Sequence, residues 1–410
     1  MSIGPWRGRG PHPRWRRLAR WSRSAWFRGR TGRARVRAAL LALVFGCVFA
    51  LVVGEVALRS RALRMPDDLS TYLFQCYRHG NSDWALYDLP PLAMQYTKPD
   101  FDCDCAWSGY RWRHHTDAYG GRNPAREDHA DVVLLGDSIT YGHGVEESVT
   151  FSHVMRDRLH HSVMNLGFMG RCPVHYVAMM RNIVLPRRPR VVVTVLFQND
   201  LDDVLSYRTE AEIRHYIETG EAAEARYVSE AGLRAYDRAP RGVGALSWDW
   251  FTQRLLVPRA IGFYARRWSA THRLTPMRPP DELVTGRDDA AVITPTPPEH
   301  LAMAYTRRAI SDMNRWATDA GATLVLAVIP GLQRGTYRRD RMVAAMTREI
   351  ARDRGVPMLD LAPVLSAGDG VARPGCLLPR DGHLSAEGHA RVGRALADFL
   401  VERRLLPDGR

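Results

Sequence analysis

Four short stretches of this sequence carry residues suited to acyl chemistry, and three of them sit where an apolar run ends. The run DVVLL leads into Gly136-Asp137-Ser138-Ile139-Thr140. A Ser just past a buried strand can present its hydroxyl to a cleft at the sheet edge, where N–H groups of the following turn can stabilise charge. The same position is also a common helix N-cap. A second run leads into Asn165-Leu166-Gly167-Phe168-Met169-Gly170, where Gly lets backbone approach a ligand closely. A third ends in Phe197-Gln198-Asn199-Asp200. Asn199 there offers an N–H donor for an oxyanion or, alternatively, an Asx turn. Near the C-terminus stands Asp381-Gly382-His383. His383 can serve as general base toward Ser138, with Asp381 fixing its tautomer and stabilising the imidazolium.

These residues need a scaffold that brings distant loops together. From about residue 128 the chain alternates β-branched runs with helical patterns. Strands are predicted at Asp131–Leu135, Val163–Leu166, Val191–Phe197, Thr323–Ile329 and Pro357–Leu361. Helices are predicted over 150–161, 173–185, 301–320, 337–353 and 385–403. Continuous apolar strands such as VVVTVLF and TLVLAVIP suit a sheet buried on both faces. The alternation predicts α/β class, a three-layer α/β/α sandwich around a parallel sheet, with ligands at the carboxyl ends of the strands. Residues 207–300 interrupt the pattern with an insertion rich in aromatics, among them Trp248, Trp250, Phe251, Phe263, Tyr264 and Trp268. It reads as a lid, a membrane-facing surface, or an insertion packed over the sheet around a small core of its own.

Taken in order, the four stretches resemble those of the SGNH (GDSL-type) hydrolase family. The match covers roughly residues 115–403, and TDAYGGRNP, RPRVVVTVLFQND, GVPMLDLAPVL and DGHLSAEGHARVG fit the surroundings of its blocks. The resemblance implies a flavodoxin-like SGNH fold with Ser138 as nucleophile, His383 as base and Asp381 as its carboxylate partner. It also implies an oxyanion hole from the Ser138 N–H, the Gly167 N–H and the Asn199 side chain. Two features depart from the usual pattern: Gln-Asn-Asp replaces Gly-x-Asn-Asp, and one residue instead of two separates Asp381 from His383. In this fold the loops bearing Cys172 and Cys376 lie at the active-site end of the sheet, which implies a Cys172–Cys376 disulfide. Cys76 is then expected to pair with Cys103 or Cys105.

The remaining chemistry-bearing residues read more plainly. Tyr141 and His143 line the pocket or pack locally. Asp200, Asp202 and Asp203, like Asp100, Asp102 and Asp104, lack a calcium-loop pattern and read as solvated loop carboxylates. His389 reads as structural. No Cys/His set has zinc spacing, so no metal and no organic cofactor is expected.

Composition is that of a globular chain: of 410 residues, 45% are hydrophobic and 25% charged, and the net charge is +14. That excludes a mainly disordered or multi-span protein. The charge is uneven. Twelve Arg and no acid lie in residues 1–54, leaving 46 basic against 44 acidic groups beyond them. Residues 1–37 therefore read as a basic cytoplasmic tail. Trp15, Leu18, Trp21 and Trp26 oppose Arg16, Arg17, Arg20 and Arg23 in it at helical spacing, which suits an anionic leaflet or a plain topology signal.

Residues 38–58 read as a transmembrane anchor. The uncharged run from Ala38 to Gly54 spans roughly 25 Å as a helix, short but sufficient with Arg37 and Glu55 at its edges. The positive-inside bias places the N-terminus in the cytoplasm. A cleaved signal peptide is the competing reading. Residues 59–127 read as a linker or appended segment, and 128–403 as the hydrolase domain. The predicted protein is thus a single-pass protein of a bacterial inner membrane with its catalytic domain outside the cytoplasm. It is expected to be a serine esterase acting on an acyl ester of glycan, lipid or small molecule, and not to bind nucleic acid. An O-acyltransferase of the same fold and a non-catalytic carbohydrate-binding or assembly component are the rivals.

Overall fold

The computed structural model describes residues 32–60, positions 65–66, 69–70 and 73, and residues 86–89, 94–97, 99–107, 110–124, 128–221, 255–272 and 295–407, with 333–336, 368–370 and 380 left out of the last range. The basic helix expected before Arg30, Cys76, and Trp248, Trp250 and Phe251 lie outside the described residues.

Helix α1, Gly32–Arg59, extends the predicted apolar segment at both ends. Within its Ala34–Arg59 stretch an 18-residue window has a mean hydropathy of 2.6 and buries none of itself against protein. Phe45 and Leu41 are 73% and 70% exposed. By length and composition it suits either a membrane anchor or a signal sequence.

The segment 59–127, read as a linker or appended segment, contains two antiparallel pairs. β1 (Leu86–Leu89) pairs with β2 (Met94–Thr97), and β3 (Asp102–Trp107) with β4 (Tyr110–His115). In β4 the residues alternate: Trp112 and His114 are buried, while Arg111, Arg113 and His115 are exposed. That period of two was present in YRWRHH, though short and masked by its polar members.

The main sheet is parallel throughout. It comprises β5 (Val132–Leu135), β6 (Val163–Asn165), β7 (Val191–Leu196), β8 (Thr323–Val328) and β9 (Met358–Asp360), in the order β6-β5-β7-β8-β9. All five predicted strands are thus present, each slightly shorter than predicted. Between and after them run α2 (Ser138–Tyr141), α3 (Phe151–Leu159), α4 (Pro173–Met179), α5 (Asp200–Tyr207), α6 (Glu210–Thr219), α7 (Leu256–His272), α8 (Pro297–Asp319), α9 (Tyr337–Arg354), α10 (Ala362–Leu365) and α11 (Ala386–Glu402).

Alternation along the strands sorts the core into two layers. Val132, Leu134, Val191, Val193 and Val195 face α3 and α11 through Phe151, Met155, Val392 and Leu396. Val133, Leu135, Val192, Leu324 and Leu326 face α4, α8 and α9 through Val177, Ile310, Met313 and Met346. Both faces are covered, which is why these strands contain almost no polar residue. The order places a topological switch point between β5 and β7, the strands that precede Ser138 and Asn199.

The expected Cys172–Cys376 disulfide is absent: both are buried free thiols. The physical reason is the sheet itself, because Cys172 belongs to the core on one face and Cys376 to the core on the other. Cys105 is also a buried free thiol, whereas Cys103 is disulfide-bonded. Phe263 of α7 joins a small core with Leu58 of α1, Leu69, Leu73 and Leu256.

Candidate active site

The loop after β5 begins α2, with Asp137 as N-cap accepting the Ile139 N–H at 2.9 Å. Ser138 is therefore the first residue of a short helix at the carboxyl end of a central strand. Its Oγ lies 2.8 Å from His383 Nε2. His383 Nδ1 lies 2.5 Å from Asp381 Oδ1, and the same oxygen accepts the His383 backbone N–H at 3.0 Å. With only one residue between them, Asp381 reaches His383 by folding its carboxylate back over its own turn. The shorter spacing thus still joins the carboxylate to the ring. Burial would raise the Asp381 pKa, but the hydrogen bond and charge of His383 outweigh it and hold the carboxyl below its usual range.

The oxyanion donors need a correction. The Gly167 N–H donates to Asn165 Oδ1 at 2.9 Å and Gly167 is buried, so this amide is already committed. Gly167 serves a different purpose. A Cβ there would lie 2.4 Å from the Tyr141 N and 2.7 Å from the Thr140 carbonyl carbon, so only Gly lets this loop press against α2. Gly170, closing the same loop, is partly exposed and its N–H has no partner among the described residues. The repeated Gly in NLGFMG was its only sequence signal. Asn199 directs one amide N–H to Asp203 Oδ2 at 2.8 Å.

Several residues that sequence reasoning passed over hold this loop cluster in place. Asn165 donates to the Thr140 carbonyl at 2.8 Å and to Ser152 Oγ at 3.1 Å. Its own N–H donates to Asn123 Oδ1 at 2.6 Å, and Asn123 donates to Asp117 at 2.8 Å. Arg122, 1% exposed, donates to the carbonyls of Tyr141, Gly142 and Val145 just beyond Ser138. A buried cation needs acceptors of this kind. His389 is structural, as expected, accepting the Phe151 N–H at 3.2 Å.

The β3–β4 hairpin forms one wall. The Trp112 indole N–H donates to Tyr141 Oη at 3.1 Å, and His114 Nδ1 lies 2.7 Å from that oxygen. Tyr110 donates from its hydroxyl to the Pro379 carbonyl at 2.7 Å, tying the hairpin to the loop of Asp381 and His383. Between hairpin and base sits His143, whose ring centroid is 4.2 Å from that of His383 and 4.8 Å from that of Trp112. His143 therefore packs locally, one of the two readings made of it, and abuts His383. Burial, and next the charge of His383, push its pKa well down, so the ring stays neutral.

On the opposite flank the carboxylates behave differently. Asp200 is not a solvated loop acid: it is buried and accepts from the Phe197 N–H at 2.8 Å and the Tyr176 hydroxyl at 3.0 Å. Burial, then the charge of Asp137, raises its pKa. Asp203 is raised to about 7 by burial and by Asp137 and Asp202. Asp202 pairs with Arg339 and Asp102 with Arg113. The one metal-compatible cluster among the described residues is His143, Asp381 and His383, with ligand atoms within 4.8 Å of one another. Those of Asp381 and His383 already face each other and Ser138.

A profile of the GDSL-like lipase/acylhydrolase family matches residues 134–391. The chain belongs to that family. No curated protein matches the chain. Among solved structures it is similar to a GDSL-like lipase from Bacteroides thetaiotaomicron, at 13% identity and a TM-score of 0.35 over 66% of this chain and 88% of that one. TesA aligns at 12% identity and 0.38, over 67% and 99%. An acetylxylan esterase from Geobacillus stearothermophilus aligns at 12% identity and 0.37, over 66% and 94%. In this chain Ser138 and Asn199 both lie just past the carboxyl ends of adjacent strands of the sheet.

Proposed function

We propose that this GDSL acylhydrolase is a membrane-anchored serine esterase whose catalytic domain works outside the cytoplasm on O-acyl esters of the cell envelope. The observation that carries the reading is the continuous chain of contacts from Ser138 Oγ through His383 to Asp381. His383 Nε2 takes the Ser138 proton as Oγ attacks the acyl carbonyl, and Asp381 stabilises the resulting imidazolium. The proton then passes to the departing alkoxide, leaving an acyl-enzyme. Water, deprotonated by the same ring, releases the acid and restores Ser138.

The Ser138 and Gly170 amides and the second N–H of Asn199 are the donors for the tetrahedral oxyanion. The exposed apolar face of α1 supports the anchor, and the twelve Arg before Gly54 support an inward N-terminus.

The test uses the full chain in detergent with a short-chain chromogenic ester. Ser138→Ala is expected to lower kcat on the order of 10³-fold or more. Equal near-zero rates for both proteins would instead favour a binding module. For topology, a C-terminal alkaline-phosphatase fusion is expected to be active, and an inactive fusion would refute the orientation.

A further inference from the structure

The boundary between α1 and the rest of the molecule is not a loose tether. Glu55, the first charged residue after the apolar run, is 9% exposed. Its carboxylate accepts the backbone N–H of Leu256 at 2.8 Å and that of Val257 at 3.1 Å, so it caps the N-terminus of α7 across 201 residues of sequence. Arg59, one turn on, pairs with the same carboxylate at 2.7 Å. Arg259, in the first turn of α7, is 6% exposed and interacts electrostatically with Glu55. The helices touch: a Cβ on Gly54 would lie 3.0 Å from Val257 Cγ2. Leu58, Met65, Leu69, Leu73, Leu256 and Phe263 close the junction with a small apolar core.

A removable leader has no reason to be built into a fold in this way. The last turns of α1 cap, charge-neutralise and pack an element from the middle of the chain. Beside the packed face, Ile261 and Tyr264 of α7 are 64% and 50% exposed. The first turn of α7, capped by Glu55 and touching Gly54 through Val257, lies where the bare apolar surface of α1 ends. The clamp residue Glu55 directly follows Gly54, a rise of about 1.5 Å along the helix. If α1 spans a bilayer, α7 is held at the level of the headgroups, where Tyr with an apolar neighbour is a favoured combination.

We propose that α7 is a membrane-surface helix, locked to a retained anchor by Glu55, with Ile261 and Tyr264 in the lipid interface. The inference rests on reading α1 as an anchor. It adds that the catalytic domain stands on the bilayer in one orientation instead of swinging on a linker. The occupant is lipid, because α7 starts at the end of the uncovered apolar surface of α1 and exposes Ile261 and Tyr264 within its next two turns.

The full chain carrying Cys47→Ser is reconstituted in phosphatidylethanolamine/phosphatidylglycerol vesicles, with Ile261→Cys, Tyr264→Cys or Val401→Cys bearing a fluorophore. Val401 is 61% exposed on α11 and serves as the aqueous control. Labels at 261 and 264 are expected to be quenched by spin-labelled acyl chains, and the label at 401 only by a water-soluble quencher. Adding Glu55→Ala is expected to abolish lipid quenching at 261 while the protein stays in the membrane fraction. Aqueous quenching at 261 and 264, or protection from both quenchers by a second copy, would overturn the proposal. Unchanged lipid quenching in Glu55→Ala would overturn the clamp. Intact mass of the mature protein separates the two readings: loss of residues 1–54 removes the anchor and the inference together. Retention of those residues with aqueous quenching at 261 removes only the inference.

Discussion

Ser138 sits between two sets of carboxylates that titrate in opposite directions. On one flank Asp381 is half-buried beside His383, and its hydrogen bond and charge interaction outweigh burial, so it remains ionised well into acid. On the other, Asp137 and Asp200 are fully buried near each other, and burial raises both. Asp203 joins them at about 7. The difference shows where the site concentrates negative charge. It stands behind the imidazole, where an imidazolium must form, and is weakened beside Asn199, where an oxyanion would develop. Carboxylates of one residue type thus receive opposite roles from burial and partners.

The strongest way to break this contrast is to neutralise its ionised side. Asp381→Asn keeps the shape but leaves His383 without its anionic partner, and kcat is expected to fall about 10²–10⁴-fold with little change in KM. Steady-state kinetics on a chromogenic ester would check it. A loss under about 10-fold would show that the short Asp381-Gly382-His383 spacing does not make a working dyad.

The other side is tested by pH. The folded-state pKa of Asp203 lies above its unfolded value, so its contribution to stability is complete below about 3.8 and is lost as pH rises through about 7. Asp381 has the reverse sign, contributing above the usual carboxylate range and losing that contribution as pH falls. Asp203→Asn should therefore flatten the decline in stability between about pH 4 and 7, by on the order of 1–2 kcal/mol, in urea titrations. An unchanged slope would mean that Asp203 ionises freely.

The residues proposed to perform the chemistry were more legible than those that hold them. Ser138, Asp381 and His383 follow strands or precede a helix with strong periodicity, so their blocks stand out. The strands VVLL and VVVTVL were legible for the same reason, since burial on both faces leaves an unbroken apolar run. The Gly167 amide was misassigned because sequence shows that a backbone N–H exists, not whether a neighbouring Asn165 already occupies it. The Cys172–Cys376 pairing failed similarly: both loops lie at one end of the sheet, but their thiols lie on opposite faces. The β3–β4 wall escaped notice because its buried His114 reads as polar, although its charge is suppressed inside the fold.

Asn165 tests the link between the two flanks. It serves both flanks, holding the Thr140 carbonyl in α2 and the Gly167 amide in the neighbouring loop. Asn165→Ala leaves these buried groups without partners, each costing about 1–3 kcal/mol. The expected result is a lower Tm together with a fall in kcat of roughly 10-fold, from misplacement of the loops. A lower Tm with kcat intact would confine Asn165 to a structural role.

The smallest effect concerns His143, stacked against the base but on neither side of the carboxylate contrast. Asp381, His383 and Arg122 all act on it, and burial keeps its ring uncharged, so it should serve His383 as a wall that excludes water. His143→Phe preserves a flat ring between Trp112 and His383. It is expected to cost less than about 10-fold in kcat/KM and to leave the shape of the pH profile unchanged. A new inflection in that profile would overturn this assignment and place His143 among the groups that set the ionisation of His383. The charge balance at Ser138 would then depend on three elements of the chain, with the hairpin supplying one through its contact with His143.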